Sequence, residues 1–179
     1  MLRVSYGLAT LEARQWSSLS EVRAEAGLEM VVANPDGVGL GPVYEFSQSS
    51  DGPPATRAIY VQMDSEREVP TVLGVELAGG KWIGCNSAVY VLAPDLALAE
   101  SIDLGESFAN FVVHGAEPTL FVISETGVRA FSSDGSQRWK VNLDVITYRE
   151  WYDDIVVLHQ MDGPPVTVRL ANGELKPEK

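Results

Sequence analysis

Hydrophobic positions in the second half of the chain recur in short alternating runs, clearest from Leu120 to Asp144. Phe121, Val122 and Ile123 form a β-rich apolar segment that stops at Glu125-Thr126-Gly127, where the glycine is expected to supply the positive φ of a tight hairpin. Val128, Ala130 and Phe131 make a second segment, stopped by Ser133-Asp134-Gly135-Ser136. There the aspartate bonds its own backbone and the glycine accepts the left-handed region. Trp139, Val141 and Leu143 then alternate with Lys140, Asn142 and Asp144, a period of two that marks a strand with one buried and one wet face. The pattern predicts three short antiparallel strands joined by two turns.

The same pattern lies upstream at a constant spacing. Trp82 falls on Phe121, Val89 on Val128, Leu92 on Phe131, Asp95 on Asp134, Ile102 on Val141 and Leu104 on Leu143 (121 − 82 = 39). A third copy starts near Ile155 as IVVLHQMDGPPVTVRLANGEL, its turn Ala171-Asn172-Gly173 reading as one residue shorter than Ser132 to Gly135. A repeat of roughly 35–40 residues built from short strands is the signature of stacked β units or propeller blades. The run FVISETGVRAFSSDGSQRW resembles the repeat of PQQ-type and WD-like β-propellers. That resemblance covers residues ~80–175 and implies blade-like sheets. It implies no activity, since such repeats serve enzymes, assembly factors and scaffolds alike. The quinone-binding and metal-binding residues of the family find no place here, so no cofactor is expected.

Upstream of residue 80 the alternation is less regular. Leu2, Val4 and Tyr6 predict an opening strand. Ser18-Leu-Ser-Glu21 fits a capping box for about two helical turns through Val22 and Ala26, closed by Gly27; a competing reading makes Glu21 to Ala33 one strand. Leu28 to Ala33 is β-like either way and stops at Asn34-Pro35-Asp36-Gly37. Val43 to Phe46 reads as a short strand between loops at Gly37–Gly41 and Gln48–Pro54. Ile59, Val61 and Met63 alternate, and the charged tip Asp64–Glu68 turns into Thr71, Leu73, Val75 and Leu77 as a hairpin. Gly79-Gly80 opens the first repeat. The expected fold is all-β: an antiparallel meander of propeller-like repeat sheets, closed or incomplete, with or without one short N-terminal helix. It forms a single domain over 1–179, with a divergent part (1–80) and three repeats (81–179).

Composition narrows the function classes. Lysine and arginine number 13 against 25 aspartates and glutamates, a net charge of −12. Such a balance opposes phosphate backbones and anionic membrane surfaces, and favours a basic protein partner. Cys85 stands alone, so neither an internal disulfide nor a cysteine-based zinc site is available. No signal peptide and no apolar run of ~20 residues is visible, so a cytoplasmic protein is expected.

Chemistry-bearing residues are few. His114 and His159 are the two histidines, both near expected strand ends, and no Gly-X-Ser-X-Gly elbow accompanies them. Asp153, Asp154 and His159 lack the Asp-X-Asp-X-Asp-Gly loop of a calcium site, and GVGLGP lacks the helix and final glycine of a dinucleotide loop. The densest polar cluster is Asp144 followed by Tyr148-Arg149-Glu150-Trp151-Tyr152-Asp153-Asp154. Read as function, Asp144, Glu150, Trp151, Tyr152, Asp153 and Asp154 form an acidic, aromatic patch on an inter-blade connection, suited to a basic protein. Read as structure, Trp151 and Tyr152 plug between sheets while the carboxylates are solvated. The leading expectation is a non-enzymatic interaction module, in one version an acidic inhibitor or immunity-type protein. The rival is a small-molecule-binding domain or hydrolase with a pocket at the sheet axis.

Overall fold

The computed structural model describes residues 2–6, 9–25, 29–33, 41–49, 57–64, 70–77, 80–114 and 119–177. The expected turn at 34–37, the loops at 37–40 and 50–54, the hairpin tip at 65–68, and Gly27, Gly79 and Gly115 lie outside them. The chain divides into two compact units, Met1–Gly105 and Glu106–Lys179.

The first unit opens with β1 (Leu2–Tyr6), β2 (Ala9–Trp16), α1 (Leu19–Glu25), β3 (Glu29–Ala33), β4 (Val43–Ser49) and β5 (Arg57–Gln62). Its first sheet runs β1-β2-β4-β5-β3. The helical reading of the capping segment holds: the Glu21 N–H donates to Ser18 Oγ at 3.3 Å. The Glu21 carboxylate reaches one residue further back than expected, accepting from the Ser17 N–H at 3.0 Å. Val22 then packs with Trp16, Val43, Ala58 and Tyr60, so α1 covers one face of the sheet. β3 pairs with β5 in parallel, a departure from a purely antiparallel meander. β2 was not legible as a strand, and β4 runs to Ser49, into residues expected to be loop.

The hairpin expected between Ile59–Met63 and Thr71–Leu77 is not formed. β5 pairs with β4 and β3, whereas β6 (Thr71–Leu77) pairs with β7 (Gly80–Cys85) and belongs to a second sheet completed by β8 (Ala88–Leu92) and β9 (Leu98–Asp103). Each segment alternates, but alternation does not name its neighbour; shared burial does. Phe46, Ile59, Val61 and Met63 of the first sheet meet Ile83, Cys85, Tyr90, Leu92 and Leu96 in one core. Asn86, at φ 49°, ties the β7–β8 turn to the end of β5: its Nδ2 donates to the Gln62 carbonyl (2.9 Å) and its Oδ1 accepts from the Asp64 N–H (3.0 Å).

In the second unit, β10 (Phe108–His114), β11 (Thr119–Ser124), β12 (Gly127–Phe131) and β13 (Gln137–Asn142) form the third sheet. β14 (Ile146–Trp151), β15 (Ile155–Gln160), β16 (Val166–Arg169) and β17 (Leu175–Pro177) form the fourth. The spacing of 39 residues carries β7, β8 and β9 onto β11, β12 and β13 end for end (119 − 80 = 39). Each three-strand repeat gains a preceding strand, making three four-stranded antiparallel sheets of blade-like form. A boundary at residue 80 therefore cuts through the second sheet, because β6 lies before it.

The shared turns explain the repeat. Asp95 and Asp134 each accept a hydrogen bond from the backbone N–H two residues on (3.1 and 2.9 Å), and a left-handed residue follows: Leu96 at φ 66° and Gly135 at φ 84°. This is the three-residue loop with a left-handed closing position. In the third copy Asn172 and Gly173 (φ 72°) play these parts. That turn closes between Arg169 and Glu174, against Ser132 and Ser136, so it is one residue longer rather than shorter. Gly127 also differs from expectation. It is not among the left-handed glycines; a Cβ there would sit 3.0 Å from the Val141 carbonyl oxygen and 3.0 Å from Glu106 Oε1. Close approach, not backbone sign, requires the glycine.

Phe121, Ile123, Val128, Ala130 and Val141 of the third sheet pack against Ile146, Val156, Leu158, Val168 and Leu170 of the fourth. Ala130 aside, each such side chain contributes about 1.5–3 kcal/mol on burial. Trp82 is fully buried, and Trp139 packs on the second-unit core, donating from Nε1 to the Leu170 carbonyl (3.1 Å). Every residue of β7 and β12 is buried, so both faces of those strands are covered. β15 is different: Val156 and Leu158 are buried, while Ile155, Val157 and His159 on the other face are only half-buried.

Candidate functional site

Asp144 lies on the connection between β13 and β14, whereas the rest of the polar cluster lies on strand β14 and the turn after it. Its alternation is hidden by a bulge. Ile146 pairs with Gln160 and Tyr148 with His159, leaving Thr147 as the extra residue. Ile146 and Trp151 are five apart, an odd spacing, yet both pack on the same core; a one-residue insertion permits this. Thr147 anchors the bulge by donating from Oγ1 to the His159 carbonyl (3.1 Å). Beyond it the period of two resumes. Arg149 and Trp151, opposite Leu158 and Val156, face inward, while Tyr148, Glu150 and Tyr152 share the open face with His159.

Glu150 is the centre of that face. Its Oε2 accepts from the Tyr152 hydroxyl at 2.8 Å, and its Oε1 lies 2.8 Å from His159 Nε2. These bonds, with Tyr152 the stronger and His159 next, hold the carboxyl below its ordinary value against a small opposing desolvation. The Tyr148 and His159 rings lie 5.5 Å apart. Tyr148 is 61% exposed and Tyr152 49%, among the largest exposed hydrophobic surfaces of the described residues.

The other expected residues divide. Trp151 follows the structural reading: it is half-buried and packs 5.2 Å from Phe121 and 5.9 Å from His114. Tyr152 does the opposite and stays exposed. Asp153 and Asp154 are exposed at a turn closed by the Tyr152 N–H on the Ile155 carbonyl (2.9 Å). Asp144 is exposed and occupied within its own turn, accepting from the Val145 N–H (2.7 Å) while its N–H donates to Gln160 Oε1 (2.9 Å). Inward-facing Arg149 is pushed below its ordinary value by burial. Between residues 144 and 162 stand five carboxylates and one guanidinium. Two residues of this face were named from the sequence but not placed in the expected patch: Tyr148, signalled by the 148, 150, 152 alternation, and His159, which joins only through strand pairing that spacing does not reveal.

No three His, Cys, Asp or Glu side chains among the described residues converge as a metal-binding group. No helix among them is long and apolar enough to cross a membrane.

No family model matches the chain, and no curated protein matches it by sequence. Among solved structures the chain is similar to a crystal structure of HIRA (residues 644–1017), at 10% identity and a TM-score of 0.43. The match covers 97% of this chain and 57% of that one, so the chain spans little more than half the length of the structure it matches. A likeness this loose carries neither fold nor function across.

Proposed function

We propose that the protein is a non-enzymatic interaction module whose open face on the fourth sheet docks a basic protein, in its most specific form an acidic inhibitor or immunity-type protein covering a basic effector. The observation that carries the reading is the half-covered fourth sheet. Its exposed face presents Tyr148, Glu150, Tyr152 and His159 beside Asp153 and Asp154, whereas β7 and β12 are covered on both sides. Tyrosines supply apolar contact with a polar tip, and carboxylates steer a cationic surface to it. The net charge of −12 acts in the same direction at longer range.

Capture from the source cell's lysate tests this, with the immobilised full chain and its Tyr148→Ala/Tyr152→Ala variant side by side. The reading expects one basic protein held at low ionic strength, reduced at ~0.5 M salt as the screening length falls below about 5 Å, and absent from the variant. Equal recovery by both chains, or recovery indifferent to salt, overturns it.

A further inference from the structure

We propose that Glu150, flanked by Tyr148 and Tyr152, is a receptor for an arginine side chain of the docked partner; this rests on the interaction reading above and names its central contact. An ionised carboxylate offers about four lone-pair positions on two oxygens. Tyr152 and His159 take one on each oxygen, both at 2.8 Å. One position per oxygen is left, the arrangement that a planar guanidinium fills with two parallel N–H···O bonds. The two existing bonds also fix the rotamer, so little side-chain freedom remains to be lost on binding. The Glu150 side chain is 38% exposed, open to a ligand from the solvent side.

The flanking rings select the same group. Tyr148 and Tyr152 expose 61% and 49% of their surface on either side of the carboxylate in the strand alternation. A guanidinium stacks on such faces and is weakly hydrated, whereas a lysine ammonium is a compact, strongly hydrated point charge. Of the fourth sheet's own cations, Lys176 lies three strands from Glu150 in the same cross-strand row, at the edge strand β17. Arg149 lies on the inward face, opposite Leu158, and Arg169 pairs with Glu174 at 3.4 Å. A metal ion is a poorer fit, since no third His, Cys, Asp or Glu among the described residues joins Glu150 and His159.

The test is an amide and side-chain NMR titration of the full chain with acetyl-Gly-Arg-Gly-amide, against the lysine and citrulline analogues. The arginine peptide is expected to shift signals of Tyr148, Glu150, Tyr152 and His159, the lysine peptide more weakly, and neutral citrulline not at all. Glu150→Gln should weaken the arginine peptide about tenfold or more with the melting temperature kept. Tyr148→Ala, a change at an exposed ring, should weaken it without disturbing the Glu150–His159 contact. Equal shifts from arginine and citrulline, or undiminished affinity in Glu150→Gln, overturn the arginine site. Lysate capture separates the two ideas. A partner lost by the double tyrosine variant but kept by Glu150→Gln leaves the docking face and removes the arginine site. Arginine binding without any captured protein does the reverse.

Discussion

At the scale of single residues, the repeat turn poses one problem that two copies solve differently. The closing position is left-handed in both, and glycine occupies it at 135 while a fully buried leucine occupies it at 96. For an L residue this region costs roughly 1–2 kcal/mol, offset here by burial in the first-unit core. Truncation should therefore invert the usual ranking. Leu96→Ala loses the packing and keeps the strain; Leu96→Gly loses the same packing and relieves it. Urea unfolding is expected to place Leu96→Gly about 1 kcal/mol above Leu96→Ala, and the opposite order would deny the left-handed conformation. Asp134 gives a second check. The Ser136 N–H, the Ser136 hydroxyl and the Ser132 hydroxyl all donate to its carboxylate, which lowers its pKa from 3.8 to about 2. A depressed carboxylate stabilises the fold above its unfolded pKa, so its contribution disappears as pH falls from about 4 towards 2. An NMR titration should find its midpoint near 2; a midpoint near 3.8 would mean that the turn's bonds are not made in solution.

At the scale of elements, tight approach separates positions that backbone angle alone would equate. Gly105 and Gly173 have nearly the same φ, +73° and +72°. A Cβ at 105 would meet nothing within 4 Å, whereas at 173 it would lie 2.8 Å from the Trp139 ring, which packs across that turn. Alanine at both should carry the same backbone strain, so the difference isolates the clash. Thermal or urea unfolding is expected to show Gly173→Ala costing about 1–3 kcal/mol more than Gly105→Ala. Equal costs would mean that Trp139 does not rest on this turn. The bulges belong to the same scale. Thr147 in β14 lets Ile146 and Trp151 enter the core while Tyr148 and Glu150 face out. A change at one backbone position thus decides which side chains the open face displays.

At the scale of the whole molecule, the first sheet is capped on one face by α1 through Val22, while the fourth sheet has an open face among the described residues. Asp153 and Asp154 border that face and are solvated. Asp153→Asn/Asp154→Asn should leave the melting temperature almost unchanged, in keeping with the small worth of exposed charges, while reducing capture of a basic partner at low salt. A large loss of stability would make the pair structural instead.

The sequence by itself determined what is local. Alternation of apolar residues placed β11, β12 and β13, the spacing of 39 residues carried them onto β7, β8 and β9, and the Ser18–Glu21 segment offered the helix as one of two readings. Each of these depends on neighbours within a few residues, through side-chain period, turn chemistry or capping. Tertiary structure alone decided what depends on distant partners. It paired β6 with β7 instead of β5, brought β3 beside β5 in parallel, and made Gly127 a site of close approach rather than of positive φ. It sent Trp151 to the core and joined His159 to Glu150 across two strands. The physical reason is the same throughout: period and turn residues fix a strand's two faces, but which surface each face meets is set by packing between segments far apart in the chain.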